Sequence, residues 1–248
     1  MEALKSFKFC TPSNWINKNL TIKVIGVGGT GSEVLGCLAR INYAIKELGH
    51  NGIHVIAFDD DLVERPNVGR QAFYPADIGH NKAITTVGRI NILYGFGWEA
   101  KPVKFDPHEK PNYSNDADLY VTCVDKAQFR ADFAKKLREN STYNHKYWID
   151  TGNGSHTGQV IFGVVKGQEP THMPTVFDFH PELDGMIDND QPSCSMEEAL
   201  SNQDLPINRS IANAVMQIVW SLLRHGGTNH QGCYIDIQKG TQVPINIF

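Results

Sequence analysis

A glycine-rich turn near the start of the chain is the first group of residues suited to chemistry. It reads Gly26-Val27-Gly28-Gly29-Thr30-Gly31 and separates a short apolar run from a longer periodic one. Such glycines allow a tight turn and let phosphate oxygens approach backbone N–H groups at the positive end of a helix. Alternatively, they only permit close packing between helix and strand. We adopt the first interpretation, a nucleotide site, and the turn alone does not decide which nucleotide.

Acidic and polar residues follow the next apolar run. There the chain reads Asp59-Asp60-Asp61-Leu62-Val63-Glu64-Arg65-Pro66-Asn67-Val68-Gly69-Arg70-Gln71. Asp59 ends the run, where a carboxylate can accept hydrogen bonds from ribose hydroxyls. A dinucleotide dehydrogenase needs only that carboxylate, so Arg70 and Gln71 require another explanation. Two further candidates are Lys82 and, after the apolar run Val121–Val124, Asp125.

Hydrophobic periodicity predicts the strands and helices that must bring these groups together. Apolar residues at alternating steps of four and three predict a helix over Ser32–Leu48, which Gly49 ends. Apolar runs on either side predict strands, so this region is a β-α-β unit and a parallel sheet is expected. The predicted strands are Thr21–Val27, Gly52–Phe58, Leu119–Val124, Tyr147–Thr151 and Gly158–Val165, and the other predicted helices are Asn81–Leu93, Ala127–Glu139 and Asn208–Arg224. Lys166–Ile207 is a long polar connection, of a kind that is usually functional.

The order of these motifs resembles the ThiF/MoeB/ubiquitin-activating enzyme superfamily. Its members carry a G-x-G-G-x-G turn, then D-x-D-x-V-x-x-x-N-x-x-R-Q, then a lysine, then an aspartate after a later strand, and all four occur here in that order. Within it the chain looks most like the ThiF-type protein of bacterial PRTRC gene cassettes. The resemblance implies an α/β fold: one Rossmann-like adenylation domain over residues 1–248 with a mostly parallel sheet. Its nucleotide-binding half would span about 20–150, and a crossover loop with the last helix and strands about 151–248.

The family reaction is ATP-dependent adenylation of a protein's C-terminal carboxylate. That nucleophile has a pKa of about 3.5 and needs no general base. It needs cations that offset charge on the phosphates. The resemblance implies that Arg70 and Lys82 supply this charge, that Asp125 binds Mg²⁺, and that Asp59 binds the ribose. The other nucleotide contacts that it implies are Gly26, Gly28, Gly29, Gly31, Asp61, Asn67 and Gln71. Alternatively, Asp125 caps the helix that begins near Ala127.

Cys194 is a candidate catalytic thiol. Its segment, Gln191-Pro192-Ser193-Cys194-Ser195-Met196, resembles the P-x-C-T motif that carries the thioester cysteine of ubiquitin-activating enzymes. Ser195 and Glu198 have capping-box spacing, and a thiol at a helix N-terminus is more acidic. Acidic neighbours oppose this effect because they favour the neutral thiol. A buried structural cysteine is the alternative.

Several departures from the family bear on cofactors and partners. The chain has no Cys-x-x-Cys pair, so no zinc is expected, and Lys126 stands where asparagine usually follows the aspartate. Met1–Leu20 contains no arginine, so the N-terminal arginine that bacterial members commonly contribute to the partner subunit's ATP site has no counterpart there. The resemblance implies a homodimer whose substrate is a small ubiquitin-like or sulfur-carrier protein with a C-terminal glycine.

Composition limits the other classes of function. The net charge of −4 argues against a broad nucleic-acid surface. The longest apolar stretch, Ala212–Leu223, is too short to span a bilayer, and no signal-peptide core precedes the first strand. Five scattered cysteines are typical of reduced thiols in a cytoplasmic protein.

Three alternative functions remain at this stage. An NAD-dependent oxidoreductase leaves Arg70, Lys82 and Asp125 unexplained. A non-catalytic subunit that supports a related enzyme would not need the retained cation and metal positions. A tRNA-modifying dehydratase of the same superfamily gains no support from the acidic net charge.

Overall fold

In the computed structural model, which describes residues 6–108, 116–141, 144–186 and 196–248, every strand and helix predicted from the hydrophobic runs has a counterpart, and the short strands Phe9–Cys10, Glu99–Lys101 and Gly227–Thr228 were not predicted. The strands are β1 (Phe9–Cys10), β2 (Leu20–Ile25), β3 (Ile53–Phe58), β4 (Glu99–Lys101), β5 (Leu119–Thr122), β6 (Lys146–Asn153), β7 (Thr157–Val165), β8 (Gly227–Thr228), β9 (His230–Asp236) and β10 (Thr241–Asn246). The helices are α1 (Ser13–Ile16), α2 (Gly29–Glu47), α3 (Lys82–Tyr94), α4 (Ala127–Asn140), α5 (Val176–Phe179), α6 (Met196–Asn202) and α7 (Ile207–Trp220). A π-helical turn, Ser221–His225, continues α7.

One sheet joins the early and late parts of the chain. Its strand order is β10-β9-β7-β6-β5-β2-β3-β4. The five strands from β6 to β4 run parallel, and β7, β9 and β10 extend the sheet with antiparallel pairings. The predicted α/β class with a mostly parallel sheet is therefore confirmed.

Helices cover both faces of the parallel strands, which explains why these strands read as continuous apolar runs. Helices α2, α3 and α7 pack on one face, where Val24 of β2 and Leu38 of α2 share a core. On the other face Phe133 of α4 packs against Ile25 and Trp148, and α5 lies beside it. Strands β5 and β6 are therefore buried over most of their length, whereas Glu99 of the edge strand β4 is exposed.

Helix α2 begins earlier than the sequence predicts. It starts at Gly29 with Gly28 as its N-cap, so the second half of the glycine turn is its first turn. A Cβ atom on Gly31 would lie 1.9 Å from the Gly26 carbonyl oxygen. Because the backbone at Gly31 approaches β2 this closely, the chain must enter the helix directly from the strand. The helix ends at Glu47 and Gly49 follows with a φ of 88°, as predicted.

The long connection Lys166–Ile207 contains two short helices, α5 and α6, in its described part. Cys194 lies outside the described residues, as does Ser195 of the predicted capping box. Among the helices of the described ranges, none has both the length and the apolar character needed to cross a membrane.

Replacing Leu38 by alanine tests the contribution of α2 to the core. Leu38 is 1% exposed, so the change leaves a cavity and should lower the free energy of unfolding by about 2–5 kcal/mol. Leu48, which is 55% exposed, is the matched control, and its replacement by alanine should change stability by less than about 0.5 kcal/mol. Urea unfolding followed by circular dichroism measures both. Equal losses in the two variants would show that α2 does not pack as described.

Candidate active site

A cavity of about 910 Å³ opens where the parallel strands end. Ile25 and Phe58, the last residues of β2 and β3, line it together with Cys123, which follows β5. Ligands of open α/β sheets bind at this edge. The predicted site residues among its lining are Gly26, Gly28, Gly29, Asp59, Asp61, Arg70, Gln71, Lys82 and Asp125.

The glycine turn combines close packing with an accessible helix end. Gly26 has a φ of 88°, and a Cβ there would lie 2.8 Å from the Cys123 carbonyl oxygen. Gly31 packs against Gly26 and does not line the cavity, so packing explains this glycine. Gly28 has open space around its Cα and lines the cavity. No side chain caps α2 at Gly28, so the first N–H groups of this helix, on the cavity side, are suited to an anion.

Asp59 ties the glycine turn to the end of β3. Its Oδ2 accepts a hydrogen bond of 2.6 Å from the Val27 N–H, and its Oδ1 accepts one of 2.9 Å from the Asp61 N–H. Burial raises the pKa of the Asp59 carboxyl, and these N–H donors oppose that rise. Each carboxylate oxygen can accept a second hydrogen bond, which leaves capacity for a ribose hydroxyl.

Lys82 is held at the first turn of α3. Its Nζ lies 2.7 Å from Asp61 Oδ2, and its side chain is 10% exposed. Asn81 caps the helix and donates hydrogen bonds to the carbonyl oxygens of Asp59 and Asp61. The carboxylates of Asp59, Asp60 and Asp61 have oxygens within 4.8 Å of one another. An anionic ligand therefore meets Lys82 beside a local excess of negative charge.

Arg70 carries a buried nitrogen atom without a partner. Its Nη1 donates a 2.8 Å hydrogen bond to Gln203 Oε1, whereas its buried Nε has no hydrogen-bond partner among the described residues. Burial lowers the pKa of the Arg70 guanidinium. Gln71 Oε1 is likewise buried and unpaired within the described ranges. Both residues line the cavity, so this wall presents a cation and an amide, which are suited to a polar ligand.

Among the predicted site residues that the structure describes, Asn67 is the one besides Gly31 that does not line the cavity. Its Oδ1 accepts a 2.8 Å hydrogen bond from the Glu64 N–H and so closes the turn before Arg70. Its predicted contact with phosphate stays a prediction.

Asp125 follows β5 as an exposed residue of the cavity wall. Helix α4 begins at Ala127 with Lys126 at the N-cap position and no side-chain cap. Asp125 therefore lies one residue before the N-cap position. Its carboxylate is available to a ligand in the cavity.

A buried ion pair supports the loop that carries Asp125. Arg130 Nε lies 3.0 Å from Asp150 Oδ2, and its Nη2 donates to the carbonyl oxygens of Val124 and Thr151 at 2.5 and 2.8 Å. Burial raises the pKa of the Asp150 carboxyl, and the guanidinium opposes the rise. The pair thus joins the ends of β5 and β6 beside Asp125. Arg130 was missed by the sequence reading, although an arginine on the apolar face of a predicted helix is a usable signal.

Comparisons with known proteins show which family the chain belongs to. The family model described as "ThiF family" matches residues 16–237, and the chain belongs to that family. A search of curated proteins finds no match.

Solved structures share the fold. The structure of E. coli MccB with ATP has a TM-score of 0.61 and 18% identity, covering 93% of this chain and 64% of MccB. The structure of PaaA has a TM-score of 0.61 and 17% identity, covering 92% of this chain and 64% of PaaA. The structure of E. coli MccB with MccA has a TM-score of 0.61 and 16% identity, covering 93% of this chain and 64% of MccB. The chain thus spans somewhat less than two thirds of these proteins, and at such identities the likeness is one of fold.

Replacing Arg130 by methionine tests the buried pair through its pH dependence. The change leaves Asp150 without its cation and should cost about 3–5 kcal/mol of stability at neutral pH. Loss of the guanidinium raises the pKa of Asp150 further above its unfolded value of about 3.9. The folded protein then binds the proton more tightly than the unfolded chain, so the destabilisation should grow as the pH rises from 5 to 8.

Urea unfolding at pH 5 and pH 8 measures this difference. Arg209→Met is the control, because Arg209 pairs with Glu33 while its side chain is 79% exposed, and its loss should cost less than about 1 kcal/mol at either pH. If Arg130→Met lowered the free energy of unfolding by the same amount at both pH values, the role given to Asp150 would be contradicted.

Proposed function

We propose that this protein uses ATP to adenylate the C-terminal carboxylate of a small ubiquitin-like or sulfur-carrier protein. The observation that carries the proposal is that Arg70, Lys82 and the uncapped N-terminus of α2 line one cavity. Phosphate oxygens suit all three, because a guanidinium is well matched to phosphate, an ammonium group carries positive charge, and the first N–H groups of a helix favour an anion.

The chemistry requires charge stabilisation more than proton transfer. The carboxylate is ionised at neutral pH. One of its oxygens forms a bond to the α-phosphorus as the bond from that phosphorus to the oxygen bridging to the β-phosphate breaks. Pyrophosphate leaves with that bond's electron pair, and no proton moves. In this proposal Arg70 and Lys82 offset the charge on the phosphates, which is the largest contribution that such a site can make.

Lys82 is paired with Asp61. Phosphate oxygens would compete with Asp61 for the ammonium group, and the released carboxylate would add to the negative charge of Asp59 and Asp60. A divalent cation would offset this charge. The oxygen-only donors on the cavity wall fit Mg²⁺, and in the proposal Asp125 holds it. When bound, Mg²⁺ would neutralise phosphate charge.

The other residues of the cavity are assigned in the same way, by the chemical group that each presents. Asp59 would accept hydrogen bonds from the ribose, Gly28 and Gly29 would present N–H groups to phosphates, and Gln71 would contact the phosphates. The volume is within the range of ligand sites. The structures of MccB with ATP and with MccA support a nucleotide and a second ligand in this fold.

The finer proposals concern the partner and the assembly. We include in the proposal that residues 1–248 form one adenylation domain, that two copies pair, and that the chain is of the PRTRC type. The single sheet that spans β2 to β10 supports the first of these.

ATP binding is the first expectation to measure. ATP with Mg²⁺ at about 100 times its Kd should stabilise the protein by about 2.7 kcal/mol, whereas NAD should give no comparable thermal shift. Arg70→Met should abolish the ATP shift and lower carrier-dependent pyrophosphate exchange at least about 100-fold, as for other lost transition-state donors. Arg65→Met is the matched control in the same loop, because Arg65 is exposed and outside the cavity lining. A shift with NAD and none with ATP would overturn the proposal in favour of an oxidoreductase.

Cys194 is proposed to receive the acyl group after adenylation. Its thiolate would attack the acyl carbon, a thioester would form, and AMP would leave. Burial raises the pKa of the thiols of Cys37, Cys123 and Cys233, that of Cys123 to about 12, so these are poor nucleophiles at neutral pH.

Cys194→Ala should therefore retain pyrophosphate exchange and lose the carrier adduct that dithiothreitol releases. Intact-mass analysis without reductant measures the adduct, and Cys10→Ala, at an exposed thiol, is the control that should keep it. If the alanine variant lost pyrophosphate exchange, or if wild type gave only an AMP-modified carrier, the thioester role would be wrong.

A further inference from the structure

A chain of side-chain hydrogen bonds crosses one wall of the cavity. Arg70 Nη1 donates to Gln203 Oε1 at 2.8 Å, and Asn208 Nδ2 donates to the same oxygen at 2.9 Å. Asn208 Oδ1 in turn accepts from Thr30 Oγ1 at 2.9 Å and from Asn153 Nδ2 at 2.8 Å. All five residues line the cavity. The chain thus connects Arg70, the first turn of α2 and the end of β6 through two amides from the later part of the sequence.

Asn208 is the fixed centre of this chain. It is 2% exposed, and both ends of its amide are engaged. A Cβ atom on Gly29 would lie 2.5 Å from Asn208 Nδ2, so the amide packs directly on the glycine turn. A buried amide that is held by both packing and hydrogen bonds has one orientation.

The orientation of Gln203 follows from its two donors. Arg70 and Asn208 both present N–H groups to it, so the oxygen of its amide must face them and the NH₂ group cannot. Its Nε2 is then the remaining polar atom of the side chain, and no described residue accepts a hydrogen bond from it. Gln203 therefore offers the cavity a donor beside a cation, and an anion is the ligand that suits this pair.

We propose that Gln203 is a nucleotide-binding residue that donates from Nε2 to a phosphate oxygen of the ligand held by Arg70. Asn208 is the positioning residue that fixes both the Gln203 amide and the first turn of α2. The proposal rests on the ATP site proposed above and adds to it a contact from the connection between α6 and α7. It gives the segment after α6 a direct part in nucleotide recognition.

Gln203→Glu separates this role from a structural one. A carboxylate can still accept the hydrogen bonds from Arg70 and Asn208, but it has no N–H to donate and it neutralises the guanidinium. Binding of ATP with Mg²⁺ should weaken at least about tenfold, the size expected for one lost charge-assisted hydrogen bond. Binding of adenosine, which has no phosphate, should stay within about twofold of wild type. Titrations followed by NMR measure both ligands on the intact chain.

Asn202→Asp is the matched control. It adds the same charge one residue earlier, at an exposed position in α6 that does not line the cavity, and ATP binding should change less than about twofold at ordinary ionic strength. Gln203→Met, which removes the donor without adding charge, should weaken ATP binding less than Gln203→Glu and again spare adenosine.

The outcomes separate the two proposals. If wild type bound adenosine but not ATP, the proposed function itself would fail. If wild type bound ATP and Gln203→Glu bound it equally well, the role of Gln203 would be wrong while the ATP site stood. Equal weakening of ATP and adenosine in Gln203→Glu would assign Gln203 to structure alone and would also overturn the inference.

Discussion

The close approach of Gly31 to the carbonyl oxygen of Gly26 is the constraint on which the rest of the site depends. Any side chain at Gly31 would lie 1.9 Å from that oxygen, so α2 can start at the very end of β2 only with glycine there. This junction places the N–H groups of α2 at the edge of the sheet where β3 and β5 also end. Asp59 then fixes the turn from the neighbouring strand through the Val27 N–H.

Charge at this edge is balanced in two layers. At the surface of the cavity, Asp61 pairs with Lys82 beside the carboxylates of Asp59 and Asp60, and Arg70 lines the same cavity. Below it, the buried pair of Arg130 and Asp150 adds no net charge, yet it binds the carbonyl oxygens of Val124 and Thr151. The lower layer therefore ties together the backbone at the ends of β5 and β6 without adding net charge beside the cavity. The upper layer contains the ion pair of Lys82 with Asp61 and the hydrogen bond of Arg70 with Gln203.

The sequence predicted what is encoded locally. The glycine turn, Asp59 and Lys82 lie at strand or helix ends that hydrophobic periodicity locates, and parallel strands bring those ends together. Gln203 and Asn208 escaped prediction because they bond to Arg70 and Thr30 across separations of 133 and 178 residues. Neutral amides in a polar connection have no periodicity or charge pattern. Arg130 escaped because charge on a helix is ordinarily taken as exposed, and its buried position depends on Asp150, which arrives from another strand.

The sheet order explains why a later segment lines the same cavity as the glycine turn. Strand β6 pairs with β5, and β7 pairs antiparallel with β6, so the later strands extend the sheet that the early strands form. Helix α7 packs on α2, and the two helices share one core. The first turn of α7 therefore meets the first turn of α2, which is where Asn208 contacts Gly29 and Thr30. Arg70 belongs to the early part of the chain, but its guanidinium is oriented by Gln203 of the later part. The site is thus assembled only when α7 is packed, because the early strands alone supply the cation without the amides that hold it.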